Sequence, residues 1–270
     1  MDSIAMFNQK GGVGKTTSVV NFAACLEKEF GKKVLVIDCD SQCNATTYLM
    51  TFTDTEEDAE RTDKGIEEYL EGNVHLKDVI NRAIFPYRRN TINSNVYVVR
   101  GTRKMDLVDD IDENIFKKML KEAEELKFDY VIFDCPANLT APTLATLSAV
   151  QFILIPITAD IYSLSGYDML IDNVQAIRRT TNINLQILGI FFNDLKSYRK
   201  LDKYMYVDNL ENLDEIMFKS KLRTSADVPL AGYMGIPMPY FKPKAAVTED
   251  YIALLKEIRK RINKVKKGAK

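Results

Sequence analysis

A glycine-rich segment near the start of the chain has the residue types of a phosphate-binding loop. It follows a short apolar run, Ser3–Phe7, and consists of Lys10, Gly11, Gly12, Val13, Gly14, Lys15, Thr16 and Thr17. Glycines let the backbone turn tightly and direct successive N–H groups at one anion. A helix beginning near Thr16 would add its positive dipole end. In such a loop Lys15 reaches the β- and γ-phosphates of a nucleotide, and the Thr16 hydroxyl holds Mg²⁺.

The segment matches the general phosphate-loop pattern GxxxxGK[ST] only in part. Gln9 stands where that pattern has its first glycine, whereas Gly14, Lys15 and Thr16 fit its end. A dinucleotide loop fits less well, because it needs glycine where this chain has Thr17. The apolar run before the segment and the helical pattern after it favour a nucleotide-binding loop over a chance glycine-rich turn.

Carboxylates follow two of the apolar runs. Asp38 and Asp40 come after Val34–Ile37, and Asp134 comes after Tyr130–Phe133. Ligands of doubly wound folds bind outside the carboxyl ends of the strands. There a carboxylate holds Mg²⁺ through water or orients an attacking water. A single aspartate of this kind often only caps the next helix, but two of them together with the loop form a consistent site.

Short apolar runs alternate with amphipathic segments along the chain. The strands are predicted at Ser3–Phe7, Val34–Ile37, Asn95–Val99, Tyr130–Phe133, Phe152–Ile155 and Leu185–Phe192, and the helices at Thr16–Phe30, Ile111–Leu126, Tyr167–Arg178 and Val247–Val265. This order predicts an α/β fold with a single doubly wound, mostly parallel sheet and helices on both faces. We expect one domain over residues 1–270, with a basic C-terminal helix or tail at about 247–270. Thr51–Lys64 is polar and predicts a surface loop.

Composition excludes several classes of protein. Hydrophobic residues make up 46% and charged residues 28%, so a largely disordered or fibrous chain is excluded. The apolar stretches are too short for a membrane-spanning helix, and the first residues lack a secretory signal. The four cysteines form no CxxC pair, which favours a reducing, cytoplasmic setting.

The segment Lys10–Thr17 resembles the deviant Walker A loop of the ParA/MinD ATPases, in which Gln9 and the extra Lys10 are distinguishing features. The resemblance implies ATP and Mg²⁺ as cofactors. It also implies a homodimer in the ATP state, in which Lys10 of each subunit touches the phosphates bound by the other. Such a lysine would act as a charge supplied in trans to a transferring phosphoryl group.

Two further segments resemble the switches of that family. Asp38–Thr46 is similar to switch I, DxDPQxNAT, which implies that Asp40 positions the hydrolytic water and helps with Mg²⁺, with Asp38 in support. Asp134–Pro136 is similar to the Walker B and switch II stretch, DCPP, which implies that Asp134 binds Mg²⁺ through water.

The chain departs from the family in both switches. Ser41 and Ala137 replace prolines, and Cys43 stands where the family often has glycine. Because proline restricts the backbone, we expect looser switches, which leaves the rate of hydrolysis open.

The resemblance extends over most of the chain. Leu188–Asn193 is similar to the strand whose end approaches the base, which implies an adenine contact for Asn193. Leu222–Ser225 resembles a stretch in which the arginine matching Arg223 contacts DNA. Tyr162–Gly166 and Tyr251–Leu254 also resemble family segments.

The function implied by the resemblance is DNA partition. The chain would bind double-stranded DNA non-specifically as an ATP dimer, be stimulated by a ParB-like activating protein, and reside in the cytoplasm with the nucleoid. Residues 1–189 carry 20 basic and 28 acidic side chains, whereas residues 190–270 carry 17 and 10. The basic candidates for DNA contact are Arg199, Lys200, Lys221 and Arg223.

Three alternatives remain. A MinD-like membrane-associated ATPase needs a terminal helix with a bulky apolar face, but after Ile262 the chain offers only Val265 and Ala269, so no membrane anchor is expected. An iron–sulfur carrier needs thiolates on a shared face, whereas Cys39 and Cys135 are expected to pack as small buried residues. A nucleotide-gated binder with little hydrolysis conflicts with the retained carboxylates and lysines.

Overall fold

The structure of the protein, a computed structural model, describes residues 1–51, 62–87, 90–158, 167–195 and 215–268. Seven strands form one sheet in the order β3-β4-β2-β5-β1-β6-β7. The strands are β1 (Asp2–Met6), β2 (Val34–Asp38), β3 (Ile80–Tyr87), β4 (Asn90–Val99), β5 (Tyr130–Asp134), β6 (Phe152–Ile157) and β7 (Gln186–Phe192).

Helices cover both faces of this sheet. They are α1 (Lys15–Phe30), α2 (Asn44–Leu49), α3 (Ile66–Leu70), α4 (Ile115–Glu125), α5 (Ala141–Ala149), α6 (Tyr167–Thr180), α7 (Asp227–Tyr233), α8 (Met238–Phe241) and α9 (Ala246–Gly268). Two 3-10 turns lie at Leu76–Asp78 and Arg103–Leu107. Among the described residues, no helix has both the length and the apolar character needed to cross a membrane.

The strand pairing confirms the predicted doubly wound, mostly parallel sheet. The strands β4, β2, β5, β1, β6 and β7 pair in parallel, and only β3 runs antiparallel, against β4. Residues of one strand alternate between two apolar cores. Ile4 and Met6 belong to the core that contains α1 and α9, whereas Ala5 and Phe7 belong to the core that contains α4, α5 and α6. Burial on both faces explains why these strands are continuously apolar.

The register brings the predicted acidic strand ends together. Met6 of β1 and Asp38 of β2 both lie opposite Asp134 of β5. The loop that follows β1 and the segments that follow β2 and β5 therefore leave the sheet at the same edge.

The sequence pattern missed the strand β3, the helix α5 and the short helices α2, α3, α7 and α8. The strand predicted at Asn95–Val99 begins at Asn90, and it forms a hairpin with β3, whose sequence INRAIFPY is not a continuous apolar run. A proline is compatible with β3 because this strand lies at the edge of the sheet. Helix α5 (APTLATLSA) has no apolar stripe because it buries small and hydroxyl residues, such as Thr146, whose hydroxyl bonds the Pro142 carbonyl at 2.8 Å.

Other predicted elements differ in their bounds. The helix predicted at Ile111–Leu126 begins at Ile115, whereas the last helix extends to Gly268. Most of the polar segment Thr51–Lys64, and all of Tyr162–Gly166, lie outside the described residues.

Candidate nucleotide and magnesium site

The glycine-rich loop connects β1 to α1 with a backbone that requires glycine. Helix α1 begins at Lys15, and Gly14 before it has a φ of 82°, while Gly12 has a φ of 74°. A Cβ on Gly14 would lie 1.9 Å from the Asn193 amide nitrogen. A Cβ on Gly11 or Gly12 would have no described atom within 4 Å. The loop is therefore packed against the protein at Gly14 and open at the two earlier glycines.

Two asparagine side chains hold the loop in this shape. The Asn8 amide donates to the Pro156 carbonyl at 2.7 Å, and its oxygen accepts from the Lys10 backbone N–H at 2.9 Å. The Asn193 amide donates to the Val13 carbonyl at 2.8 Å. Asn193, predicted as an adenine contact, thus lies against the loop. The sequence analysis did not identify the role of Asn8. The only indication in the sequence is that an amide side chain directly follows the apolar run Ser3–Phe7.

Lys15 points into the loop. Its side chain is largely buried, and its Nζ donates to the carbonyls of Asn8 at 3.2 Å and Lys10 at 3.3 Å. Burial lowers the pKa of Lys15, although the nearby Asp134 opposes this shift. The ammonium group is therefore held where bound phosphates would meet it.

Asp134 is a fully buried carboxylate at the end of β5. Neither oxygen has a hydrogen-bond partner of good geometry among the described residues. Burial, and next the charge of Asp38, raise the pKa of Asp134 well above its ordinary value, while the nearby Thr16 hydroxyl opposes this shift only in part. The Asp134 carboxylate therefore lacks the well-formed hydrogen bonds or bound cation that would offset the cost of burying its charge.

These residues fit a hydrated magnesium ion. Magnesium in nucleotide sites binds one or two carboxylates, together with phosphate oxygens and waters. No cluster of three or more His, Cys, Asp or Glu side chains suited to bind a metal occurs in the described part of the chain. Asp134 and the Thr16 hydroxyl therefore suit an ion that is held mainly by nucleotide phosphates and waters.

Asp38 is also buried, but unlike Asp134 its carboxylate accepts hydrogen bonds of good geometry. It accepts from the backbone N–H and the hydroxyl of Thr46, at 2.8 and 2.7 Å, and the same hydroxyl accepts from the Gly101 N–H at 2.8 Å. Burial raises the pKa of Asp38 to about 6, against the effect of the bonds from Thr46. Asp38 thereby fixes the start of α2 to the end of β4.

Asp40 lies beside this group and is less buried. Its Oδ1 accepts from the Gln42 N–H at 2.9 Å. Its negative charge opposes the lowering of the Lys15 pKa by burial and adds to the raised pKa of Asp134, as a neighbouring carboxylate does. The structure therefore brings Lys15, Asp38, Asp40 and Asp134 together at one edge of the sheet.

The substituted switch positions have contacts of their own. The Ser41 hydroxyl donates to Asp106 at 2.5 Å, which opposes the loosening expected from the absent proline. Cys43 has a φ of 51°, a conformation that favours glycine. Cys39 and Cys135 are fully buried, as expected, and burial raises the pKa of both thiols.

The predicted DNA contacts are placed unequally. Arg223 is bonded to Asp250 through Nε at 2.6 Å and through a second nitrogen at 2.7 Å. The Lys221 ammonium lies 5.8 Å from the centre of the Phe192 ring. Arg199 and Lys200 lie outside the described residues. A phosphate at Arg223 would have to compete with Asp250.

The chain is similar to one known protein family and to several known proteins. A family described as "AAA domain" matches residues 1–187. The chain is 29% identical over 260 residues to the sporulation initiation inhibitor protein Soj of Bacillus subtilis, which covers 94% of this chain and 97% of that protein. It is 28% identical over 264 residues to the chromosome-partitioning ATPase Soj of Treponema pallidum. This match covers 95% of the present chain and 96% of that protein.

A solved structure supports the fold. The ATP complex of a McdA variant from Cyanothece superposes with a TM-score of 0.78 at 20% identity, covering 97% of this chain and 96% of that one. The family match covers most of the sheet and all of the loop and carboxylates described above. The chain therefore belongs to the AAA domain family, and over most of its length it is similar to ATPases of the ParA/Soj type.

Proposed function

We propose that this protein is an Mg-ATP-dependent ATPase that dimerises, binds DNA non-specifically and drives partition of a plasmid, chromosome or mobile element. The observation that carries the proposal is the buried, unpartnered Asp134 next to Lys15 and Thr16. A carboxylate in this position is costly to the fold unless a cation joins it, so its presence points to a bound metal and nucleotide.

Each residue of the site has a distinct task in this proposal. The backbone N–H groups of residues 11–16 surround the phosphates, and Lys15 contacts the β- and γ-phosphates. Thr16, Asp134 and Asp40 hold the magnesium ion, Asp134 through water. The ion, when bound, offsets negative charge that develops on the phosphates. Asp40, the most accessible of the three carboxylates, orients the attacking water.

Dimerisation would place Lys10 opposite the partner's nucleotide. The Lys10 backbone is fixed by Asn8, so the position of this residue is set before any partner arrives. A lysine that reaches transferring phosphate from a second subunit makes hydrolysis depend on assembly. ATP would then control both association and turnover.

The partner and the location follow from the relatives rather than from the site. Soj of Treponema pallidum is named a chromosome-partitioning ATPase. This supports a ParB-like activating protein and a cytoplasmic, nucleoid-associated location for the present chain.

The dimer is tested with Asp40→Ala, using light scattering and phosphate release in the presence of Mg-ATP. We expect this variant to bind ATP, to hydrolyse it far more slowly and to accumulate as a dimer, because the attacking water is no longer oriented. Asp109→Ala, which removes an exposed carboxylate outside the site, should behave as the parent does. Hydrolysis by Asp40→Ala at the parental rate would contradict the role of this residue.

A further inference from the structure

A row of exposed lysines runs along the last helix. Lys256, Lys260, Lys264 and Lys267 of α9 line one shallow groove with Lys219. Their spacing of four, four and three residues places them on one face of the helix. With a rise of about 1.5 Å per residue, the row is about 16 Å long.

Other charged groups of the groove are engaged by the protein. The Arg259 guanidinium lies 4.2 Å from the centre of the Phe30 ring. The Glu257 carboxylate accepts from the backbone N–H groups of Lys219 and Ser220, both at 3.0 Å. The Arg261 guanidinium donates to the carbonyls of Leu188 and Ile216, at 2.8 and 2.7 Å. Within the described part of the chain, the four lysines of the row make no salt bridge, whereas Lys266 on another face pairs with Asp2. The row therefore presents uncompensated positive charge.

We propose that this row, named here the α9 lysine row, is a docking surface for the phosphate backbone of double-stranded DNA. The inference rests on the proposed function and adds a contact surface beyond Lys221 and Arg223. Phosphates of one DNA strand advance about 3.4 Å along the axis per nucleotide, so a row of this length spans about five of them. Contacts of this kind carry no base specificity.

A membrane is a poorer occupant because α9 has no apolar face left to insert. Its large apolar side chains, Tyr251, Leu254, Leu255, Ile258 and Ile262, are all buried in the core. Binding at a lipid surface requires such a face in addition to basic charge.

The location of the row suits a nucleotide-controlled dimer. Lys266, next to the row, pairs with Asp2 at the amino end of β1, whereas the loop lies at the carboxyl end of that strand. The lysines near the end of α9 are therefore on the side of the sheet opposite the nucleotide site, and they remain accessible when two nucleotide sites face each other.

The test compares two variants that lose the same net charge. The first carries Lys256→Gln, Lys260→Gln, Lys264→Gln and Lys267→Gln. The control carries Lys77→Gln, Lys117→Gln, Lys121→Gln and Lys127→Gln, four exposed lysines elsewhere. Binding of a labelled random-sequence duplex is measured by fluorescence anisotropy with Mg-ATP over a salt series, and ATP turnover and anionic vesicle binding are measured in parallel.

We expect the row variant to bind the duplex at least about 10-fold more weakly than the control, with a salt dependence shallower by about 0.9 for each lysine that contacts phosphate. Its ATP turnover without DNA should match that of the parent. Equal DNA binding by the two variants would overturn the docking surface and leave the proposed function standing. A parent that binds no DNA in any nucleotide state would overturn both. Loss of vesicle binding by the row variant, with DNA binding intact, would assign the surface to lipid and overturn the inference.

Discussion

Replacing Asp134 with asparagine should stabilise the nucleotide-free protein while removing its response to magnesium. The carboxylate is fully buried, and neither of its oxygens has a hydrogen-bond partner of good geometry among the described residues. An unsatisfied buried polar group costs about 1–3 kcal/mol, and a charged one costs more. Asp134→Asn keeps the shape of the side chain and removes the charge, but its amide remains unsatisfied. We therefore expect the free energy of unfolding at pH 7.5 to rise by the difference between the two costs, on the order of 1 kcal/mol.

The free energy of unfolding should also depend on pH, in a direction set by the raised pKa values. The pKa values of Asp134 and Asp38 are both raised, so the folded protein binds more protons than the unfolded chain above about pH 4. Stability from these groups is therefore present at low pH and is lost as the pH rises through their folded pKa values. For Asp38, a rise from 3.8 to about 6 corresponds to about 3 kcal/mol lost by pH 7. The advantage of Asp134→Asn should grow over the same rise in pH.

Thermal unfolding measures both effects. A gain of 1 kcal/mol corresponds to about 2–4 °C in Tm for a chain of this size class. The parent should gain further stability from ADP with magnesium over ADP with a chelator, whereas Asp134→Asn should show little difference between the two. Asp129→Asn is the matched control, because Asp129 accepts from Lys32 Nζ and the Lys33 N–H, both at 2.9 Å, and its loss should not stabilise the protein.

A lower Tm for nucleotide-free Asp134→Asn at pH 7.5 would refute the reasoning. An undiminished magnesium effect in this variant would refute the assignment of Asp134 to the metal.

Three further predictions concern the loop and the first switch. Lys10→Ala should bind ATP with parental affinity but turn it over at least about 10-fold more slowly, because in the proposed dimer its charge would act on the partner's phosphates; equal stimulated rates in a phosphate-release assay would exclude this role. Cys43→Gly should raise the free energy of unfolding by about 1 kcal/mol by relieving a φ of 51°, whereas Cys43→Ala should not, as denaturant titration would show. Gly14→Ala should weaken nucleotide binding measured by calorimetry, because its Cβ, at a φ of 82°, would displace the Asn193 amide that bonds the Val13 carbonyl of the loop. Gly31→Ala, also at positive φ but with no described atom within 4 Å of the added Cβ, should cost only about 1 kcal/mol and leave binding intact.

The sheet and the acidic edge could be predicted from sequence because their signals are local. A buried parallel strand is a continuous apolar run, and Asp38 and Asp134 directly follow such runs. The strand β3 could not be found this way, because Asn81, Arg82 and Pro86 interrupt its apolar run. Arg82 is exposed, whereas the Asn81 side chain is buried and bonded to the Thr62 N–H and the Val79 carbonyl, which its residue type does not reveal.

The contacts that shape the site were less accessible to sequence reasoning. The amide of Asn8 bridges two segments 148 residues apart, and the hydroxyl of Ser41 reaches Asp106 across 65 residues. A single sequence gives the residue type but not the distant partner. Ser41 illustrates the consequence, because a loss of proline predicted a looser switch, whereas the fold supplies a hydrogen bond at the same position.

The most direct test of the central proposal is binding of the parent protein to a random-sequence DNA duplex with ATP, with ADP and without nucleotide, at low and high salt. We predict binding only with Mg-ATP, and its loss at the higher salt, because the contacts are to phosphates. Equal binding in all three nucleotide states, or no binding with ATP at low salt, would contradict a DNA-partition ATPase controlled by its nucleotide.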